Sequence, residues 1–340
     1  MTNAKEWLLS SARMIRSLVI AAIKLPFWIK VKADIQGPWA WSRTGWAKAG
    51  FAVAAILAYY GIGGWAVETI DTDPGLMPPP VSQHQLRAVA VAAQLTHREV
   101  DKHRWVPADP FFLPGWALTA MPSFQQGIMA AIGHFAETLY MAEGSGDPDL
   151  GQAAGLYKYP AKVWRLAPGI SWLPTAPSDR QYRHAAQSLE AYDDKLALIP
   201  LDPARQLAIL TAVLAEVDQE LDKDAELLDH HVEARPFALF DHDGTVMFHT
   251  TRGQLYAWAV ILRELGQDNA ETLAAKGLTV TWRHMVDSLF LAAKMSPPMV
   301  MTGSWDGSLL PNHLTEQGYL LMRAGELLDE VVAGLKPKLQ

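Results

Sequence analysis

The 340-residue chain contains no cysteine. That removes disulfides, thiol nucleophiles and zinc–thiolate centres from consideration. It also lacks a Gly-x-Ser-x-Gly elbow, a Walker loop and a Rossmann glycine pattern, so neither a serine acyl-transfer centre nor a nucleotide cradle has an anchor. Charge is scarce as well: 19% of residues are charged and 50% are hydrophobic, which is apolar for a wholly soluble protein. The poorest stretch is 49–67, nineteen residues with no charge.

At 1.5 Å per residue that run spans about 28 Å, close to the roughly 30 Å hydrocarbon core of a bilayer. Trp39, Trp41 and Trp46 sit at one end and Trp65 at the other, where indoles favour the headgroup region. Residues 1–48 carry eight basic and two acidic side chains, a net of +6, and the remainder carries 21 basic and 34 acidic, a net of −13. The positive-inside rule therefore predicts a cytoplasmic N-terminus and a C-terminal bulk on the far side of the membrane. The acidic bulk offers no nucleic-acid surface.

Within residues 1–48, Lys5, Arg13, Arg16 and Lys24 fall in one helical sector, which suits either an interfacial helix on anionic lipid or a loosely ordered basic tail. Gly50, Ala54 and Ala58 form a small-residue stripe along the span that would permit homo-oligomer contacts. Residues 68–80 read as a Pro-rich linker holding the domain off the membrane, and 81–340 as a mainly α domain. Helical periodicity marks 82–103, 124–142, 180–198, 251–265, 269–294 and 314–335, and the series Leu207, Leu210, Leu214, Val217 and Leu221 marks another helix. In the last helix Leu320, Ala324, Leu327, Val331 and Leu335 form the expected buried stripe.

Residues 105–127 interleave aromatics with prolines. The expected role is a rigid extended lid whose aromatics, Trp105 among them, plug gaps between helices; the alternative is an aromatic groove for a lipid, glycan or peptide. The same stretch, Trp105-x-Pro107-x-Asp109-Pro110-Phe111-Phe112-x-Pro114 followed by Met121-Pro122-x-Phe124-Gln125-x-Gly127, resembles a bacterial family filed as domain of unknown function 2333. Asn312-His313-Leu314 and Gln317-Gly318-Tyr319 extend the resemblance. It implies an inner-membrane protein with one N-terminal membrane helix and no assigned activity, and it brings no catalytic residues. Thr119-Ala120 and Ser123 stand where the family pattern has an Asp-Asn pair and an Asn.

"FALFDHDGTVMF", residues 237–248, looks like the nucleophile loop of a haloacid-dehalogenase-type phosphatase. In that scheme Asp241 attacks phosphorus, Asp243 is the acid/base and Thr302 binds phosphate. The order fails. A later lysine followed by metal-binding carboxylates is required, yet only Lys336 and Lys338 follow Thr302, with no acid beyond them. Asp243-Gly244 suits instead the turn of a small β-hairpin near 237–249, with Gly244 at positive φ. Around it His230, His231, His242 and His249 alternate with Asp229 and Asp241, a set that could serve as transition-metal ligands or as a solvated polar strip. None of these histidines is paired at i, i+4, and no cofactor is implied. The expected function is a structural or interaction component of the envelope, facing inner-membrane lipid and envelope proteins; a periplasmic metal-dependent hydrolase or phosphatase built on 229–249 is the alternative.

Overall fold

From residue 253 to 266 the sequence GQLYAWAVILRELG leaves almost no polar face. A helix of this kind has no side for water and must lie at the centre of its domain. The computed structural model describes residues 44–82, 84–166, 174–235, 241–301 and 311–336, and there this stretch is the inner part of a long helix. The helices, in chain order, are α1 (Thr44–Val67), α2 (Arg87–His97), α3 (Ala120–Ala142), α4 (Pro148–Tyr157), α5 (Ser178–Leu196), α6 (Pro203–Ala234), α7 (His242–Asp268), α8 (Ala270–Ala275), α9 (Thr279–Lys294) and α10 (His313–Leu335). The chain divides into two units, Met1–Ala55 and Ile56–Gln340. The described part of the first is the beginning of α1. The second holds the core, with α7 packed against α3, α2 and α9, and with α6 and α10 beside one another.

Lys48–Val67 is long and apolar enough to cross a membrane. Phe51, Leu57, Ile62 and Trp65 on it are exposed, so its apolarity is not explained by burial in the protein. Residues 68–80 are not a free spacer. Arg98 donates to the Asp71 carbonyl (3.0 Å), Tyr256 to the Asp73 carbonyl (2.7 Å), and Arg263 to the carbonyls of Pro74 and Leu76. The segment leaving α1 is thereby strapped onto the domain.

Several expected helices form with altered ends. The predicted 82–103 helix starts at Arg87 and finishes as a π-helical turn, Arg98–Lys102. The predicted 269–294 helix is two, separated at Gly277, whose φ of +73° stops α8. α4 is an addition: Asp147 caps it by accepting from the Asp149 and Leu150 amides, a signal hidden behind the Gly144-Ser145-Gly146 turn.

The hairpin is a misreading. No strand occurs among the described residues; Thr245 to His249 are the first turns of α7, and Gly244 is helical rather than at positive φ. Residues 237–240, its other arm, lie outside the described residues. Asp241 is the N-cap of α7 and accepts from the Gly244 amide at 2.9 Å. Asp-x-x-Gly serves a helix start as well as a turn, and the apolar run behind it decided for the helix.

α3 and α7 cross at backbone distance. A Cβ on Gly127 would overlap the Thr250 carbonyl, and one on Gly253 would overlap the Phe124 carbonyl. Each glycine thus receives the other helix's peptide group three residues earlier. Gly253→Ala should lower unfolding stability by about 1–3 kcal/mol or more, the cost of overpacking a rigid contact. Gly155→Ala on α4, where a Cβ meets nothing within 4 Å, should raise it by up to about 1 kcal/mol. Urea unfolding of the full chain in a neutral detergent checks both; equal effects would remove the close crossing from the account.

Candidate functional site

Asp241 draws together part of the sequence cluster. His231 Nε2 lies 2.6 Å from its Oδ2, and Arg235 reaches its Oδ1 at 3.0 Å while also pairing with Asp243 at 2.9 Å. Burial pushes the Asp241 carboxyl up, but the Gly244 amide, His231 and Arg235 outweigh it and hold the group below the ordinary range. Gly244 is required here for space: a Cβ would stand 2.7 Å from the Asp241 carboxylate and 3.2 Å from the His231 ring. His230, His242 and Asp243 are exposed. His249 lies two turns further along α7, buried, with its Nδ1 unpartnered. Thr302 lies outside the described residues. The cluster is therefore dispersed: one carboxylate ties the end of α6 to the start of α7, and the four histidines do not meet.

A different set does meet. His134 on α3 lies between two α6 carboxylates, its Nδ1 2.8 Å from Glu216 and its Nε2 3.8 Å from Glu220. Among the described residues these three are the group with metal-ligand spacing. Glu220 is further held by Lys223 (3.1 Å) and Gln254 (3.2 Å). Both ring nitrogens face a carboxylate, so the three side chains link α3 to α6, and one ring nitrogen with the two carboxylates has the spacing of a metal site. The i, i+4 spacing of Glu216 and Glu220 was the sequence signal for it.

A cleft of about 1100 Å³ is bounded by the 106–118 segment, the first turns of α3 and one face of α7. The lid reading holds for Trp105, which is 4% exposed, packs edge-on to Tyr182 at 4.9 Å and donates from its indole to the Ala161 carbonyl at 2.9 Å. The following aromatics behave differently. Phe111 and Trp116 are 68% and 61% exposed, and Phe112, also exposed, meets Trp164 edge-on across the cleft.

Residues 110–118, PFFLPGWAL, carry no charge, and the segment is fastened to α1. Tyr59 donates to the Phe112 carbonyl (2.8 Å) and Tyr60 to the Phe111 carbonyl. Gly63 and Gly64 make room for Pro114 and Leu118. The amides of Leu113, Trp116 and Leu118 bond within the segment, and Pro110 and Pro114 have none to satisfy. An uncharged, internally bonded loop with outward aromatics is chemically suited to a lipid environment.

Comparison with known proteins finds no matching family model, curated protein or solved structure.

Replacing Asp241 by Ala removes a helix cap and should cost about 0.5–2 kcal/mol at pH 7. A carboxyl whose folded pKa is depressed stabilises above its unfolded pKa of about 3.9 and loses that contribution as pH falls through the lower folded value. The gap between Asp241→Ala and the parent should therefore narrow below about pH 4. Urea midpoints at pH 7 and pH 3.5 report this; a gap that is absent at pH 7 would mean the cap carries no weight.

Proposed function

We propose that the chain is a single-pass inner-membrane protein whose helical domain rests on the periplasmic face, with the aromatic loop 110–118 embedded in the outer leaflet. It acts as a structural or interaction component of the envelope. The observation that carries this reading is the attachment of that uncharged loop to the exposed apolar helix through Tyr59 and Tyr60. Tyr59 precedes Val67, the last residue of α1, by eight positions, about 12 Å of helix. If Lys48–Val67 fills the hydrocarbon, Phe111, Phe112 and Trp116 share it.

Two further features support the reading. The net +6 before the span against −13 after it favours retention of the N-terminus in the cytoplasm. Gly50, Ala54 and Ala58 leave a small-residue face on α1 for a second copy. The hydrolase alternative has less behind it: Asp241 is committed to capping α7, and His230, His231, His242 and His249 do not converge.

Reporter fusions test the topology. A periplasm-dependent phosphatase reporter fused after Asp73 should be active, and one fused after Lys32 inactive. The reverse pattern would overturn the location and the role together.

A further inference from the structure

Arg252 is an arginine in the middle of an apolar helix, and it is only 4% exposed. Its Nε donates to the Ala293 carbonyl at 2.8 Å, and its guanidinium lies over the Phe124 ring, 5.8 Å from the centroid. Among the described residues no carboxylate pairs with it, and its two terminal nitrogens have no acceptor. A buried cation without an anion is costly, and folded proteins retain one where something else supplies the charge. One turn earlier His249, 7% exposed, keeps its Nδ1 buried with no partner. Burial draws the imidazole down to about 4, helped by the adjacent Arg252 charge, and burial lowers Arg252 to about 10. Both shifts arise chiefly from burial, the condition under which an added anion would be felt most strongly.

The two side chains line a cleft of about 520 Å³ together with Thr119, Ala120 and Ser296. Thr119 is the N-cap residue of α3 and makes no side-chain cap bond; Pro122 has no N–H and the Ser123 amide bonds to the Thr119 carbonyl, so the Ala120 amide is the α3 donor left at the cleft. Glu68, the acid among the lining residues, is exposed and forms no ion pair with Arg252. Glu68 and Ile70 directly follow α1, which sets the cleft beside the end of the apolar helix.

We propose that this cleft is a phosphoryl-anion site. Arg252 supplies the charge; His249, the Ser296 hydroxyl and the Ala120 amide at the start of α3 supply hydrogen bonds. Guanidinium, imidazole, hydroxyl and a helix-terminal amide together offer more donors than the two oxygens of a carboxylate use, and they match the oxygens of a phosphate. The source is either a phospholipid headgroup or free phosphate. The lipid source rests on the membrane reading above; the anion site itself does not.

The test uses the full chain purified in a neutral detergent at low ionic strength, titrated calorimetrically with inorganic phosphate and, separately, with dihexanoyl phosphatidic acid. Saturable binding of the lipid is expected, weakened about tenfold in Arg252→Lys, where the planar fork is lost, and absent in Arg252→Met. Ser296→Ala, at the cleft wall, should weaken binding even if Arg252→Met fails to fold. Saturation by phosphate alone with the same dependence assigns the site to the free anion. Saturation by the lipid only assigns it to a headgroup. Failure of both ligands to saturate the folded parent, or equal binding by parent, Arg252→Lys and Ser296→Ala, would overturn the proposal. Phosphate binding that persists in a protein whose Asp73 reporter fusion is inactive would remove the membrane orientation and leave the site standing.

Discussion

The backbone contact between α3 and α7 is the constraint on which the rest depends. Gly127 and Gly253 let the two helices meet at their peptide groups, closer than any pair of side chains would allow. That approach puts Phe124 against Tyr256, their ring centroids 6.2 Å apart, and brings Arg252 over the Phe124 ring. It also fixes the start of α3 against the first turns of α7, and both clefts open along that line. A Cβ at either glycine would meet the facing backbone carbonyl and force the helices apart.

A buried polar network joins this crossing to the segment leaving α1. Arg98 bonds to Glu99, to the Tyr256 hydroxyl and to the Asp71 carbonyl. Gln125 reaches the Glu99 carbonyl and the Arg104 carbonyl while accepting from the Val106 amide. Arg98, Gln125 and Tyr256 each have partners on two or more segments, so the network selects one arrangement of strap, α2, α3 and α7. The domain is thus tied to its apolar helix twice: by the strap, through Arg98, Tyr256 and Arg263, and by the aromatic loop, through Tyr59 and Tyr60.

Much of this was legible in the sequence because it is periodic. The apolar span, the α6 series and the α10 stripe follow from spacing alone, and of the latter Leu320, Ala324, Val331 and Leu335 are buried, with Leu327 partly so. Trp105 as a core plug followed from a large aromatic in a proline-stiffened stretch. The failures lie where one local pattern serves two structures. Asp241 to Gly244 fits a hairpin turn and a helix cap equally, and only tertiary burial of residues 248–266 chose between them. The close crossing was not legible either, since Gly127 and Gly253 are 126 positions apart and each alone reads as a weak point in a helix. Arg252 carried a signal, a lone charge in the run from Val246 to Leu262, but its lack of a carboxylate partner is a property of space, not of order along the chain.

The central claim is that loop 110–118 shares the bilayer with α1. Because the chain has no native cysteine, single cysteines can carry a spin label without background. In proteoliposomes, the label's collision rates with oxygen and with a water-soluble nickel chelate should rank Phe111→Cys with Ile62→Cys on the span, oxygen-accessible and shielded from nickel. Leu198→Cys, on an exposed turn of the domain, should show the opposite. A label at position 111 as accessible to nickel as the one at 198 would contradict the account.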